Sequence, residues 1–186
     1  ASNEFTDWPL VEKCAETGKP LILSTGTATL EEIEATVAFL SKIGAPDYAL
    51  LHCVSAYPAP LSAANLSTIP AIAERFGVVA GFSDHTLGVT APIAAAALGA
   101  SIIEKHFILD RSDGGPDSSF AIEPDELALL CTSVREAHAC LGRPEFGMKE
   151  AETTSPIYKR CFHTTRAIKA GEALGPDNIR AIRARQ

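Results

Sequence analysis

The sequence has no CxxC pair, no surplus of positive charge and no apolar run of membrane-spanning length, and each absence removes a class of function. Its five cysteines (Cys14, Cys53, Cys131, Cys140 and Cys161) are scattered and odd in number. A disulfide framework is therefore not expected, a reducing cytoplasm suits them, and each reads as a small buried apolar residue. The formal charge of -7 at pH 7 argues against nucleic-acid binding, which needs a basic face to neutralise phosphates. A small anionic substrate stays compatible, because a local pocket can be positive on an acidic protein. Spanning a bilayer takes roughly 20 consecutive apolar residues, so no membrane span is expected. Residues Ala1–Phe5 offer neither a basic start nor an apolar stretch, so they do not read as a signal peptide. No GxGxxG follows a strand pattern, which leaves a dinucleotide-binding fold without support.

What is present is a balanced globular composition, 46% hydrophobic and 21% charged, over 186 residues. That suits one domain of ordinary size with a small appendage. Short apolar β-rich runs alternate with helical patterns. Leu21–Ser24 reads as a strand, and a helix follows in which Thr29 and Glu32 have capping-box spacing and Ile33, Val37 and Leu40 share a face. The unit recurs: strand Tyr48–Val54 with helix Leu61–Phe76, strand Val78–Phe82 with helix Ala91–Leu98, strand Ser101–Phe107 with helix Pro124–Leu141. In the last helix Leu127, Leu130, Val134 and Ala137 form the apolar side. Ala1–Phe5 reads as the tail of one more strand, and Leu10–Ala15 as its helix.

Such alternation implies an α/β fold with a parallel sheet covered by helices. Polar residues gather just after the strands, which is the catalytic face of a (β/α)₈ barrel. The strands are too few to close a barrel alone. Either the sheet is open or earlier strands precede Ala1, and the start without a Met favours the second. Residues 1–142 are expected to form the barrel portion and the polar, Pro- and Gly-containing residues 143–158 a linker. Residues 159–186 form a separate short segment, with a turn at Ala170–Glu172.

His85 and His106 each close a strand on the polar face. Two imidazoles at adjacent strand ends suit a shared divalent cation, with carboxylate or water completing its shell. The spacing alone favours ordinary hydrogen-bonding histidines over metal ligands. Asp84 is a candidate for orienting the His85 ring. Pleat alternation sends Lys105 to the face opposite His106, where it is either a site residue or a salt-bridging lysine. Ser24-Thr25-Gly26 and Ser55 offer hydroxyls and backbone N–H groups for a phosphate or carboxylate. The Gly-rich loop Asp110–Asp117 reads as a substrate loop or as a solvated connection.

Five segments together carry a resemblance: LILSTG (Leu21–Gly26), CVSAYPAP (Cys53–Pro60), GFSDHTLG (Gly81–Gly88), LGASIIEKHF (Leu98–Phe107) and GGPDSSFAIEPDEL (Gly114–Leu127). In this order they resemble the sialic acid (nonulosonic acid) synthases, which condense phosphoenolpyruvate with a six-carbon acylamino sugar. The resemblance implies the later part of a (β/α)₈ barrel, followed in Cys161–Arg183 by the start of an antifreeze-protein-like (SAF) domain. It implies a cytoplasmic, domain-swapped homodimer. It carries over His85 and His106 as ligands of Mn²⁺ or Mg²⁺. Ser2, Ser24, Ser55, Tyr57 and Ser83 would lie around phosphoenolpyruvate, and Asp117 would contact the sugar near its reacting carbonyl. A catalytic carboxylate and a phosphate-binding lysine would precede Ala1, and a sugar-binding arginine would follow Gln186. SAYPAP and GGPDSSFAIEPDE look most like the pseudaminic acid synthases, ahead of the N-acetylneuraminate and legionaminic acid enzymes. A metal-dependent aldolase or isomerase and a non-catalytic sugar-binding module are the competing classes.

Overall fold

The computed structural model describes residues 1–152 and 159–183. Of the expected linker, residues 153–158 lie outside the described residues, as do 184–186 of the final segment. The chain divides into two units, Ala1–Gly142 and Arg143–Gln186.

The first unit is built on four parallel strands, β1 (Leu21–Ser24), β2 (Tyr48–Cys53), β3 (Val79–Asp84) and β4 (Ile102–Lys105), hydrogen-bonded in that order. Five helices accompany them: α1 (Trp8–Ala15), α2 (Leu30–Lys42), α3 (Thr68–Phe76), α4 (Thr90–Ala97) and α5 (Pro124–Leu141). Sequential order in a parallel sheet means that every crossover steps one strand the same way. No strand order reverses, as it must in a doubly wound nucleotide-binding sheet.

Register decides which side chains share a face. Leu50 lies opposite Ala80, and Phe82 opposite Ile103. These residues meet Ile33 of α2, Ile69 and Ile72 of α3, and Ala91 and Ala95 of α4 in one buried cluster. Helices α2, α3 and α4 therefore cover a single face of the sheet. Trp8 extends that layer by stacking on Phe39, with ring centroids 5.1 Å apart. The opposite face carries Ser24, Leu51, Cys53, Gly81, Ser83 and Glu104. Gly81 is required there: a Cβ would run into the Ile102 carbonyl and the Leu51 side chain, its neighbours on the flanking strands.

Helix α2 forms as its sequence predicts, with Thr29 accepting from the Glu32 amide and Glu32 accepting from the Thr29 amide. Helix α5 likewise spans Pro124–Leu141 and buries Leu130.

Several expectations change, and of the five cysteines only Cys53 is buried while Cys14, Cys140 and Cys161 are exposed. Residues Ala1–Phe5 are not a strand tail: Ser2–Glu4 is a 3-10 turn closed by Glu4 N–H to Ala1 O and Phe5 N–H to Ser2 O. The long helix Leu61–Phe76 is two pieces, a 3-10 turn Leu61–Ala63 and α3, because Asn65 takes a left-handed backbone (φ 44°) between them. Pro70 explains where α3 starts. Lacking an amide hydrogen, it is tolerated in a first turn and excluded from an interior. Finally, β3 runs two residues past Phe82, carrying Ser83 and Asp84 into the ladder.

In the second unit β5 (Cys161–Thr164) and β6 (Ile179–Ile182) pair antiparallel. The buried Asn178 side chain holds the connection together, accepting from Gly175 N–H and donating to the Ala173 carbonyl and Glu172. Among the described residues no helix is long and apolar enough to cross a membrane.

Candidate functional site

All four strands are parallel, so their C-terminal ends share one edge of the sheet. Ser24 and Thr25 leave β1 there, Val54 and Ser55 leave β2, His85 follows β3 and His106 follows β4. Most of the residues singled out in the sequence converge at this edge.

The two imidazoles have ring centroids 5.1 Å apart. Each is held through Nδ1: His85 donates to the Val54 carbonyl at 2.8 Å, and His106 to Asp117 Oδ2 at 3.0 Å. A donor at Nδ1 fixes the tautomer and leaves Nε2 with its lone pair, the state in which a histidine ligates a metal. Tyr57 lies against both rings, 4.2 Å from His85 and 5.7 Å from His106 between centroids. The buried Phe120 backs His106 at 5.0 Å.

Around β1 and β2 the groups are hydroxyls. A Cβ on Gly26 would overlap the hydroxyl oxygens of both Ser2 and Ser55, so the glycine lets these two side chains come together over the backbone. Thr25 Oγ1 and N–H both donate to Leu51 O, tying the end of β1 to β2. Ser24 and Ser83 are buried, and Ser83 donates to Glu104 Oε1 at 2.7 Å.

Cys53 lies within this group, with its sulfur 3.7 Å from His85 Nδ1 and 3.9 Å from Ser55 Oγ. Burial pushes its thiol up, but hydrogen bonds with His85, Ser2 and Ser55 and the His85 charge outweigh that and hold it below the usual cysteine range. Burial likewise pushes His85 down, while Cys53, the Val54 carbonyl and Asp84 leave it net above the ordinary histidine value. Tyr57 is raised, by burial and then by the negative charges of Cys53, Asp117 and Glu104. It is therefore a neutral donor at physiological pH.

One candidate sits elsewhere than expected. Asp84 does not orient the His85 ring; it pairs with Lys105 at 2.6 Å on the other face, and the Val54 carbonyl takes the orienting role. The Asp110–Asp117 loop is anchored at its base, where Arg111 engages Glu123, Glu126 and the Ala121 carbonyl. Sequence reading missed Glu104, Phe120 and Cys53 as members of this group. Glu104 was within reach, because it stands two residues before His106 and the pleat puts both on one face.

Among the described residues no group of three or more His, Cys, Asp or Glu side chains converges as a complete metal site. Two imidazoles that present Nε2 suit a cation whose remaining positions are filled by water or substrate oxygen, as Mn²⁺ and Mg²⁺ accept. They do not form a closed structural site.

The four parallel strands, in sequential order, thus carry ionisable and hydroxyl groups at their C-terminal ends. The chain belongs to the NeuB family, whose model matches residues 1–146. It is 40% identical over 185 residues to the pseudaminic acid synthase of Helicobacter pylori, covering 98% of this chain and 54% of that protein. It is 39% identical over 184 residues to the N,N'-diacetyllegionaminic acid synthase of Campylobacter jejuni, covering 96% of this chain and 54% of that one. Among solved structures, the N-acetylneuraminic acid synthetase of Leptospira borgpetersenii superposes with a TM-score of 0.77 at 38% identity, covering 84% of this chain and 55% of that one. The chain thus spans about half the length of the curated relatives it matches.

Proposed function

We propose that the protein is a nonulosonic acid synthase that condenses phosphoenolpyruvate with an open-chain 2-acetamido hexose-type sugar. The observation that carries this reading is the imidazole pair, 5.1 Å apart with both Nδ1 atoms engaged, in a chain of the NeuB family. The strands are read as the later part of a (β/α)₈ barrel, a reading supported by their sequential parallel order. The second unit is read as the start of an antifreeze-like domain, and the working form as a domain-swapped homodimer.

In the proposed reaction C3 of phosphoenolpyruvate bonds to the sugar aldehyde carbon. Water adds at C2, and phosphate departs with its bridging oxygen as the C2–O bond breaks. A divalent cation held by His85 and His106 would supply Lewis acidity at the aldehyde oxygen. Val54 O and Asp117 keep both imidazoles in the ligating tautomer. Asp117 is also read as contacting the sugar near that carbon. Ser2, Ser24, Ser55 and Ser83 act as hydroxyl donors around phosphoenolpyruvate, working by positioning and charge stabilisation without covalent chemistry. Tyr57, neutral and resting on both rings, closes the same side.

Among the sugars, the pseudaminic type is favoured by GGPDSSFAIEPDE (Gly114–Glu126). The intact protein, given Mn²⁺ and phosphoenolpyruvate, is expected to release phosphate with a 6-deoxy diacetamido sugar and only marginally with N-acetylmannosamine. Efficient turnover of N-acetylmannosamine would contradict the sugar assignment, and phosphate release with neither sugar would contradict the synthase reading.

A further inference from the structure

Asp84 and Lys105 are the last residues of β3 and β4 and stand opposite each other in register. The next residue in each chain segment is a histidine of the pair. Beyond this point the ladder between the two strands has ended, so sheet hydrogen bonding no longer sets the spacing of His85 and His106.

A buried ion pair continues where the ladder stops. Lys105 Nζ donates to Asp84 Oδ2 at 2.6 Å and to the Thr86 carbonyl at 2.5 Å. Asp84 Oδ1 in turn accepts the Thr86 amide at 2.8 Å. The residue before His106 thus grips the Asp84 carboxylate on one side of His85 and the Thr86 backbone carbonyl on the other, and the Asp84 carboxylate closes the turn around it. The two side chains are 3% and 0% exposed, which separates this pair from surface ion pairs of little consequence. Removing two charges from water offsets much of what their attraction gives, so such a pair is a poor device for stability alone. Its geometric effect is specific: it joins the two strand ends at the point where the imidazoles depart.

We propose that Asp84 and Lys105 are positioning residues, a cross-strand clamp that fixes the separation of His85 and His106 from the face opposite the site. The metal-binding part of this inference rests on the reading of those histidines as ligands; the clamp itself does not. Neither residue touches the imidazole rings in the hydrogen-bond network, since His85 Nδ1 is taken by Val54 and His106 Nδ1 by Asp117. The clamp acts through the backbone, as partners behind a ligand set act in other metal sites, where their loss weakens binding by about 10- to 100-fold.

The test uses the double variant Asp84→Asn/Lys105→Met in the intact protein, which breaks the link without leaving a buried charge unpaired. In metal-free protein, the ring NMR signals of His85 and His106 are expected to shift or broaden while those of His138 and His163 stay in place. Titration with Mn²⁺ is expected to give a dissociation constant raised by about tenfold or more, with the far-ultraviolet dichroism unchanged. Unmoved His85 and His106 signals in a folded variant would overturn the clamp. A wild-type protein that binds no Mn²⁺ would instead overturn the metal reading, and the histidine spectra would still decide the clamp. If the double variant does not fold, Asp84→Glu keeps both charges and lengthens the link by one methylene. The same two histidine signals must then move, and their constancy would overturn the proposal.

Discussion

At the scale of single residues, the protein uses its histidines in two opposed ways. His85 and His106 stand at strand ends with Nδ1 engaged and Nε2 retained for a ligand. His52, one strand away, is buried on the helix-covered face, stacked on Phe82 and donating from Nε2 to the Ala64 carbonyl at 2.7 Å. Burial lowers its affinity for a proton, and the Ala64 carbonyl only partly restores it. The unfolded chain therefore takes up this proton at a higher pH than the folded one. Above the ordinary histidine value of about 6.5 neither state is charged and His52 adds no pH dependence. As pH falls below that value, protonation favours the unfolded state, and stability declines until the folded value is passed. The melting temperature of the wild-type protein should fall through this window more steeply than that of His52→Gln. Parallel pH profiles for the two would contradict the assignment.

At the scale of elements, legibility followed the physics of each signal. The capping box of α2 and the Pro-led start of α5 were readable because backbone capping is local, and both helices stand where they were expected. The central strands were readable because β2 and β3 are buried along nearly their whole length and leave continuous apolar runs. The break at Asn65 was not: a left-handed asparagine leaves no periodic trace, although Pro70 marked where α3 could begin. The site was legible in part. Strand-end position gave His85, His106 and Ser24, whereas the convergence of Ser2 with Ser55 over Gly26 joins residues far apart in sequence. The role of Asp84 was misread, because pleat alternation sends it, with Lys105, away from the ring it precedes. Gly81 is where element packing is tightest. Gly81→Ala should destabilise the protein by about 1–3 kcal/mol through overpacking against Leu51 and the Ile102 carbonyl. Denaturant unfolding measures this, and a stability within about 0.5 kcal/mol of wild type, the range of a neutral substitution, would contradict the close approach.

At the scale of the whole molecule, a sequential parallel sheet collects at one edge the groups that the sequence scatters over more than a hundred residues. Membership of the NeuB family and likeness to the synthase structure of Leptospira borgpetersenii give that edge its chemical context. The central claim is that the imidazole pair serves metal-dependent condensation with cleavage at carbon. Its most direct test follows phosphoenolpyruvate labelled with oxygen-18 at the bridging position, in the intact protein with Mn²⁺ and the 6-deoxy diacetamido sugar, and in parallel with His106→Ala. The account predicts labelled phosphate from the wild type, lost on chelation and lost in the variant. Unlabelled phosphate, or undiminished release by His106→Ala under chelation, would contradict it.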